Sequence, residues 1–141
     1  MYVSSSERNW AMMAHLLTFL GFASWLGNFF RLGHVLVGWH FLAPLFIYAI
    51  SRNRSHFVSF HALQSFYFQL LVAVASLGLL AVAGIVAFFT CGLGWLALAP
   101  FLRAFPFVVA IYVFIAGIKA NKGEWFEYVI VGRPAREAIR I

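Results

Sequence analysis

Two histidines stand out because each lies a short way into an apolar run that follows a polar stretch. At a rise of about 1.5 Å per residue, His15 sits about 7.5 Å beyond Trp10 and His61 about 6 Å beyond Phe57, so the two imidazoles fall at nearly one depth. At 100° per residue, His61, Gln64, Ser65 and Gln69 share one arc of a helix, while Leu63, Phe66 and Leu70 point the other way. A polar arc in apolar surroundings needs a partner. The plain reading is hydrogen bonding between helices through His15, Thr18, His61, Gln64, Ser65 and Gln69. The sharper reading is an electron-transfer site, a haem b or a quinone, with His15 and His61 as the axial ligands of haem iron. A third reading makes the arc the lining of a conduit for a small solute or peptide.

His40 is the deepest histidine, four residues before Pro44. Ionisable groups at such depth are expensive, which makes it a candidate for function. A neutral His40 would equally satisfy a carbonyl freed by Pro44 or a hydroxyl such as that of Tyr112 or Tyr48. His34 and His56 stand at the ends of apolar runs, where interfacial polarity suffices to explain them.

Catalytic groups are scarce. The chain has no aspartate, and of its glutamates Glu124 and Glu127 are i, i+3 neighbours beside Lys122, a pattern expected of a solvated, ion-paired segment. No nucleophile adjoins an evident base, no glycine-rich loop opens a helix after a strand, and no metal-spaced cluster appears. Cys91 is alone, so neither a disulfide within the chain nor a thiolate metal cluster follows. These residues point to a protein without catalysis and, outside the haem alternative, without a metal or cofactor.

The elements that carry these side chains follow from composition. Of 141 residues 64% are hydrophobic and only 10% charged, far from the soluble balance. Four apolar runs predict an all-α integral membrane four-helix bundle, with spans at about 10–30, 34–51, 57–89 and 98–120. The stretch 28–33 reads as a short turn, and 51–55 (SRNRS) as a polar break. The third run is longer than a bilayer needs, about 50 Å as one helix, so its first turns belong to the headgroup zone or the helix is tilted. The fourth span is expected to begin near 98 with a kink at Pro100 or Pro106, or else 96–103 forms an interfacial helix. Small residues in the third span, including Gly78 and Gly84, and Gly117 in the fourth invite close helix contact.

The net charge of +6 does not indicate nucleic acid, since the basic residues cluster at the ends of apolar runs. They are topology signals. Arg8, Arg52, Arg54, Lys119, Lys122, Arg133, Arg136 and Arg140 fall on one side of a four-span arrangement, against Arg31 and Arg103 on the other. A multi-pass protein of the inner (cytoplasmic) membrane is expected, with both termini in the cytoplasm. Residues 1–128 form the bundle domain and 129–141 a cytoplasmic interfacial tail, in which Gly132 and Pro134 end any regular element. Trp125, Phe126 and Tyr128 are expected to anchor the segment at the headgroups.

Three motifs, ERNWAMMAHL (7–16), FVSFHALQSFYFQ (57–69) and IAGIKANKGEWFEY (115–128), resemble a widespread group of uncharacterised four-span bacterial and archaeal membrane proteins. That group is related to the small four-helix subunit of the chloroplast inner-envelope protein import translocon. The resemblance implies a four-helix membrane domain with the second and third motifs on one side, and it marks Lys119, Asn121, Lys122, Gly123, Glu124 and Tyr128 as a cytoplasmic motif. It implies a translocon-like accessory subunit. The partners expected are membrane lipid and other integral membrane proteins, with self-association compatible.

Overall fold

The computed structural model describes residues 3–19 and 39–140, with only the backbone of Trp39, His40 and Phe41. Among these residues there are helices and no strand: α1 Ser5–Leu16, α2 Trp39–Ser51, α3 His56–Phe89, α4 Leu93–Asn121 and α5 Gly132–Ala138. α1 starts five residues before the expected span because Ser4 and Glu7 close a capping box. The Ser4 hydroxyl accepts the Glu7 N–H at 3.3 Å and the Glu7 carboxylate accepts the Ser4 N–H at 2.9 Å, satisfying two orphan donors. The helix ends at Leu16. Residues 20–38, and with them the rest of the first expected span, His34 and the start of the second, lie outside the described residues.

The polar break is a tight turn. Ser55 caps α3 by accepting the Val58 N–H at 3.3 Å, and its carbonyl takes the Ser59 hydroxyl at 2.7 Å. α3 then runs unbroken for 34 residues to a turn where Cys91 and Gly92 both take left-handed backbone angles (φ 49° and 90°). α4 begins at Leu93 rather than near 98 and passes through both Pro100 and Pro106 as one helix, so 96–103 is not a separate interfacial element. Proline removes one N–H donor, a loss that apolar helices of this kind tolerate through local adjustment.

α3 and α4 are long and apolar enough to cross a membrane. Their burial is uneven. Buried residues of α3 fall almost entirely within its first 14 positions, and those of α4 within its last turns, from Ala110 to Ala120. The remainder of α3, 70–89, spans about 30 Å, the thickness of a hydrocarbon core. Its side chains are mostly exposed and apolar, as Leu77, Val82 and Phe88 illustrate. α1 and α2 pack at the buried end, where Ala14, Ile47, Val58 and Ala62 form one cluster. Gly117 admits α1 closely: a methyl there would stand 3.2 Å from Leu16 Cδ2. Gly78 and Gly84, read as contact points, have no described atom within 4 Å of the place a methyl would occupy.

The segment after α4 departs most from expectation. The chain reverses at Gly123 (φ 81°) and runs back beside the helices. Tyr128 stacks on Phe68 at 4.3 Å between ring centroids. Phe68 lies twelve residues into α3, about 18 Å from its start. The Val129 N–H donates to the Tyr112 hydroxyl at 3.3 Å, nine residues before the end of α4. The chain then turns and climbs through α5, whose Ala135 packs on Phe60 and Leu63. Residues 123–138 thus form a hairpin packed against α3 and α4. Gly132 and Pro134 begin a helix rather than ending one, because in a first turn the missing proline N–H has no helical partner to lose.

Candidate functional site

The polar arc of α3 meets this hairpin. The Gln64 amide donates to the Phe126 carbonyl at 2.8 Å, and its oxygen accepts the Tyr128 N–H at 3.3 Å. One side chain thereby satisfies two backbone groups of an irregular segment that no helix or sheet serves. His61 Nε2 lies 3.2 Å from the Glu124 carbonyl, and the Tyr112 hydroxyl takes the Val129 N–H. Buried irregular backbone needs such partners, and a lost one costs about 1–3 kcal/mol.

Hydrogen-bond accounting assigns the tautomers. A carbonyl only accepts, so His61 donates from Nε2 to Glu124 and carries its lone pair on Nδ1. That lone pair faces His15 Nε2 at 3.0 Å and the Gln64 amide nitrogen at 3.2 Å, both of which donate. His15 Nδ1 is then an acceptor, and the Tyr128 hydroxyl donates to it across 3.0 Å. Burial, with Tyr112 beside it, pushes the Tyr128 phenol well above its ordinary pKa and keeps that donor protonated. The chain runs one way, from Tyr128 to His15 to His61 to Glu124, and stops at a carbonyl that cannot take up a proton. It holds groups in place and offers no relay.

The same geometry bears on the haem reading. His15 Nε2 and His61 Nδ1 are already in hydrogen-bond contact with their rings edge to face, so a porphyrin has no room between them. Each imidazole lone pair at the contact is occupied by a donor. Among the described residues no group of three His, Cys, Asp or Glu converges as a metal site. The arc, covered by the hairpin backbone, likewise presents no open lining for a conduit.

Of the other expected site residues, Thr18 donates to the His15 carbonyl, and Ser65 donates to the Ala14 carbonyl at 2.8 Å, tying α3 to α1. Gln69 is buried further along the arc. Tyr112 serves Val129, while the side chain of His40 lies outside the described residues. Lys119 pairs with Glu124 at 2.8 Å, and this bond, more than Lys122, holds the Glu124 carboxyl below its usual range. Asn121 ends α4, Lys122 is exposed at its cap, and Gly123 makes the reversal. Two features lie outside the expected set. One is the hairpin itself, signalled only by glycines at 123 and 132 around an aromatic stretch. The other is Glu7, whose carboxyl is held low first by the Ser55 hydroxyl at 2.7 Å and then by Ser4.

Residues 6–135 match the magnetosome magnetite crystal formation protein family. No curated protein and no solved structure matches the chain. A membrane protein family agrees with the coarser part of the resemblance drawn from the three motifs, and the comparison contains nothing on a translocon relationship.

Proposed function

The chain belongs to the magnetosome magnetite crystal formation protein family, and we propose that it serves magnetite formation as a non-enzymatic membrane subunit that assembles with other integral membrane proteins. It lies in the membrane with both termini on the cytoplasmic side, and α3 and α4 supply two crossings. Iron is the cargo of this process. A chain that shaped the mineral by contact would present free carboxylate oxygens to a hard cation.

The observation that carries the reading is that three of the four glutamates are held in ion pairs and the fourth, Glu7, stands apart from them at the start of α1. Glu124 pairs with Lys119, Glu137 with Arg133 at 3.1 Å and Glu127 with Arg136, while Glu7 receives hydrogen bonds from Ser4 and Ser55. With no aspartate and a net charge of +6, the molecule repels cations overall. The route left to it is through partners, by way of the apolar surface of α3 and α4.

The test uses cells that form magnetite and lack their own copy. Supplying the chain with Glu124→Gln, Glu127→Gln and Glu137→Gln together should restore crystal size in electron micrographs. Crosslinking in native membranes should also capture a second membrane protein. Small or absent crystals despite normal membrane levels of the triple variant, or a chain that crosslinks to nothing, would overturn the proposal.

A further inference from the structure

A cleft of about 250 Å³ opens between α1, the end of α2 and the start of α3. Its lining mixes the polar side chains of Glu7, Ser51 and Ser55 with the apolar ones of Trp10, Ile47, Ile50 and Val58. Arg54 also lines the cleft, and its guanidinium makes no ion pair or hydrogen bond among the described residues. Glu7 and Arg54 therefore share a cleft without pairing. Glu7 Oε1 accepts one hydrogen bond, from Ser55, and Oε2 accepts two, from the Ser4 N–H and hydroxyl. An ionised carboxylate has about four acceptor positions, which leaves one free on Oε1.

From this we propose that the cleft binds a zwitterionic membrane phospholipid of the ethanolamine type, with its phosphate on Arg54, its ammonium on Glu7 and its acyl chains leaving past Trp10 and Ile47. Opposite charges held apart fit a ligand that carries both signs. A primary ammonium donates a hydrogen bond to the free Oε1 position, which a quaternary choline cannot do. The apolar side chains of Trp10, Ile47, Ile50 and Val58 beside the two charged groups disfavour a wholly polar solute and suit the start of an acyl chain. A cleft of this size takes the headgroup and leaves the chains to run out over exposed Trp10, 48% accessible, into the surrounding lipid.

The experiment reconstitutes the full chain in vesicles of equal parts phosphatidylethanolamine, phosphatidylcholine and phosphatidylglycerol with matched acyl chains. Lipids retained after mild detergent release are counted by native mass spectrometry. Ethanolamine lipid should be enriched over choline lipid by about tenfold, the effect of one charge-assisted hydrogen bond. Glu7→Gln keeps the capping box, since glutamine serves that position equally, and should remove the enrichment. Arg54→Gln, in the exposed turn, should lower retention of all three lipids. Retention in the ratio supplied, a preference for the glycerol lipid, or a wild-type pattern in both variants would overturn the proposal.

Discussion

Gln64 shows how much one side chain can decide. Its amide closes two backbone bonds of the hairpin and adds a donor to His61, so Gln64→Leu removes all three while keeping most of the volume. Leaving the Phe126 carbonyl and the Tyr128 N–H buried and unpaired costs about 1–3 kcal/mol each. Thermal unfolding in detergent should show a clear fall in midpoint for this variant. Ser76→Ala should change it little, because the Ser76 hydroxyl only returns to Val72 of its own helix. Equal midpoints for the two would refute the bracing role. The polar arc was legible in the sequence as a pattern of residue types at helical spacing. Its main partner was not, because backbone groups of an irregular segment leave no periodic trace.

At the scale of elements, the hairpin depends on its reversal into α5. A methyl at position 132 would stand 2.7 Å from Glu127 Cβ and 3.1 Å from its Cα, a backbone obstruction that no rotamer change relieves. Overpacking of this kind costs about 1–3 kcal/mol. Gly132→Ala should therefore loosen the tail and speed tryptic cleavage after Arg136 severalfold, while α3 and α4 keep their helical signal. A cleavage rate equal to that of the unaltered chain would show that the turn tolerates the methyl. The hairpin also explains the excess length of α3. Its first 14 residues hold α1, α2 and the tail, leaving a stretch of bilayer length beyond them.

For the whole molecule, the proposed crossing puts the two ends of the α3 and α4 pair on opposite sides of a membrane. Cys91, exposed at the turn between them, is the chain's one cysteine and a natural reporter. A membrane-impermeant thiol reagent added to sealed vesicles should label Cys91 from one face only. In Cys91→Ser carrying Lys122→Cys it should label from the other. Reaction of both from the same face would refute the crossing. The packed end ties to a common level through the Glu7 to Ser55 bond and the approach of Arg8 to Gly123. Arg8, Arg52, Arg54, Lys119 and Lys122, all expected on the cytoplasmic side, lie in or beside the helix ends that meet there.

Composition and spacing alone determined that the chain is helical and apolar enough to enter a membrane, since those properties follow from local hydropathy and a fixed helical period. They also placed His15 and His61 at matching depth, because rise per residue is constant. Only the tertiary structure decided what the arc of His61, Gln64 and Ser65 binds, that the tail turns back between helices, and that Glu7 and Arg54 share a cleft unpaired. Those outcomes depend on contacts between segments as many as 113 residues apart, as between His15 and Tyr128, and no local pattern encodes the meeting of such distant groups.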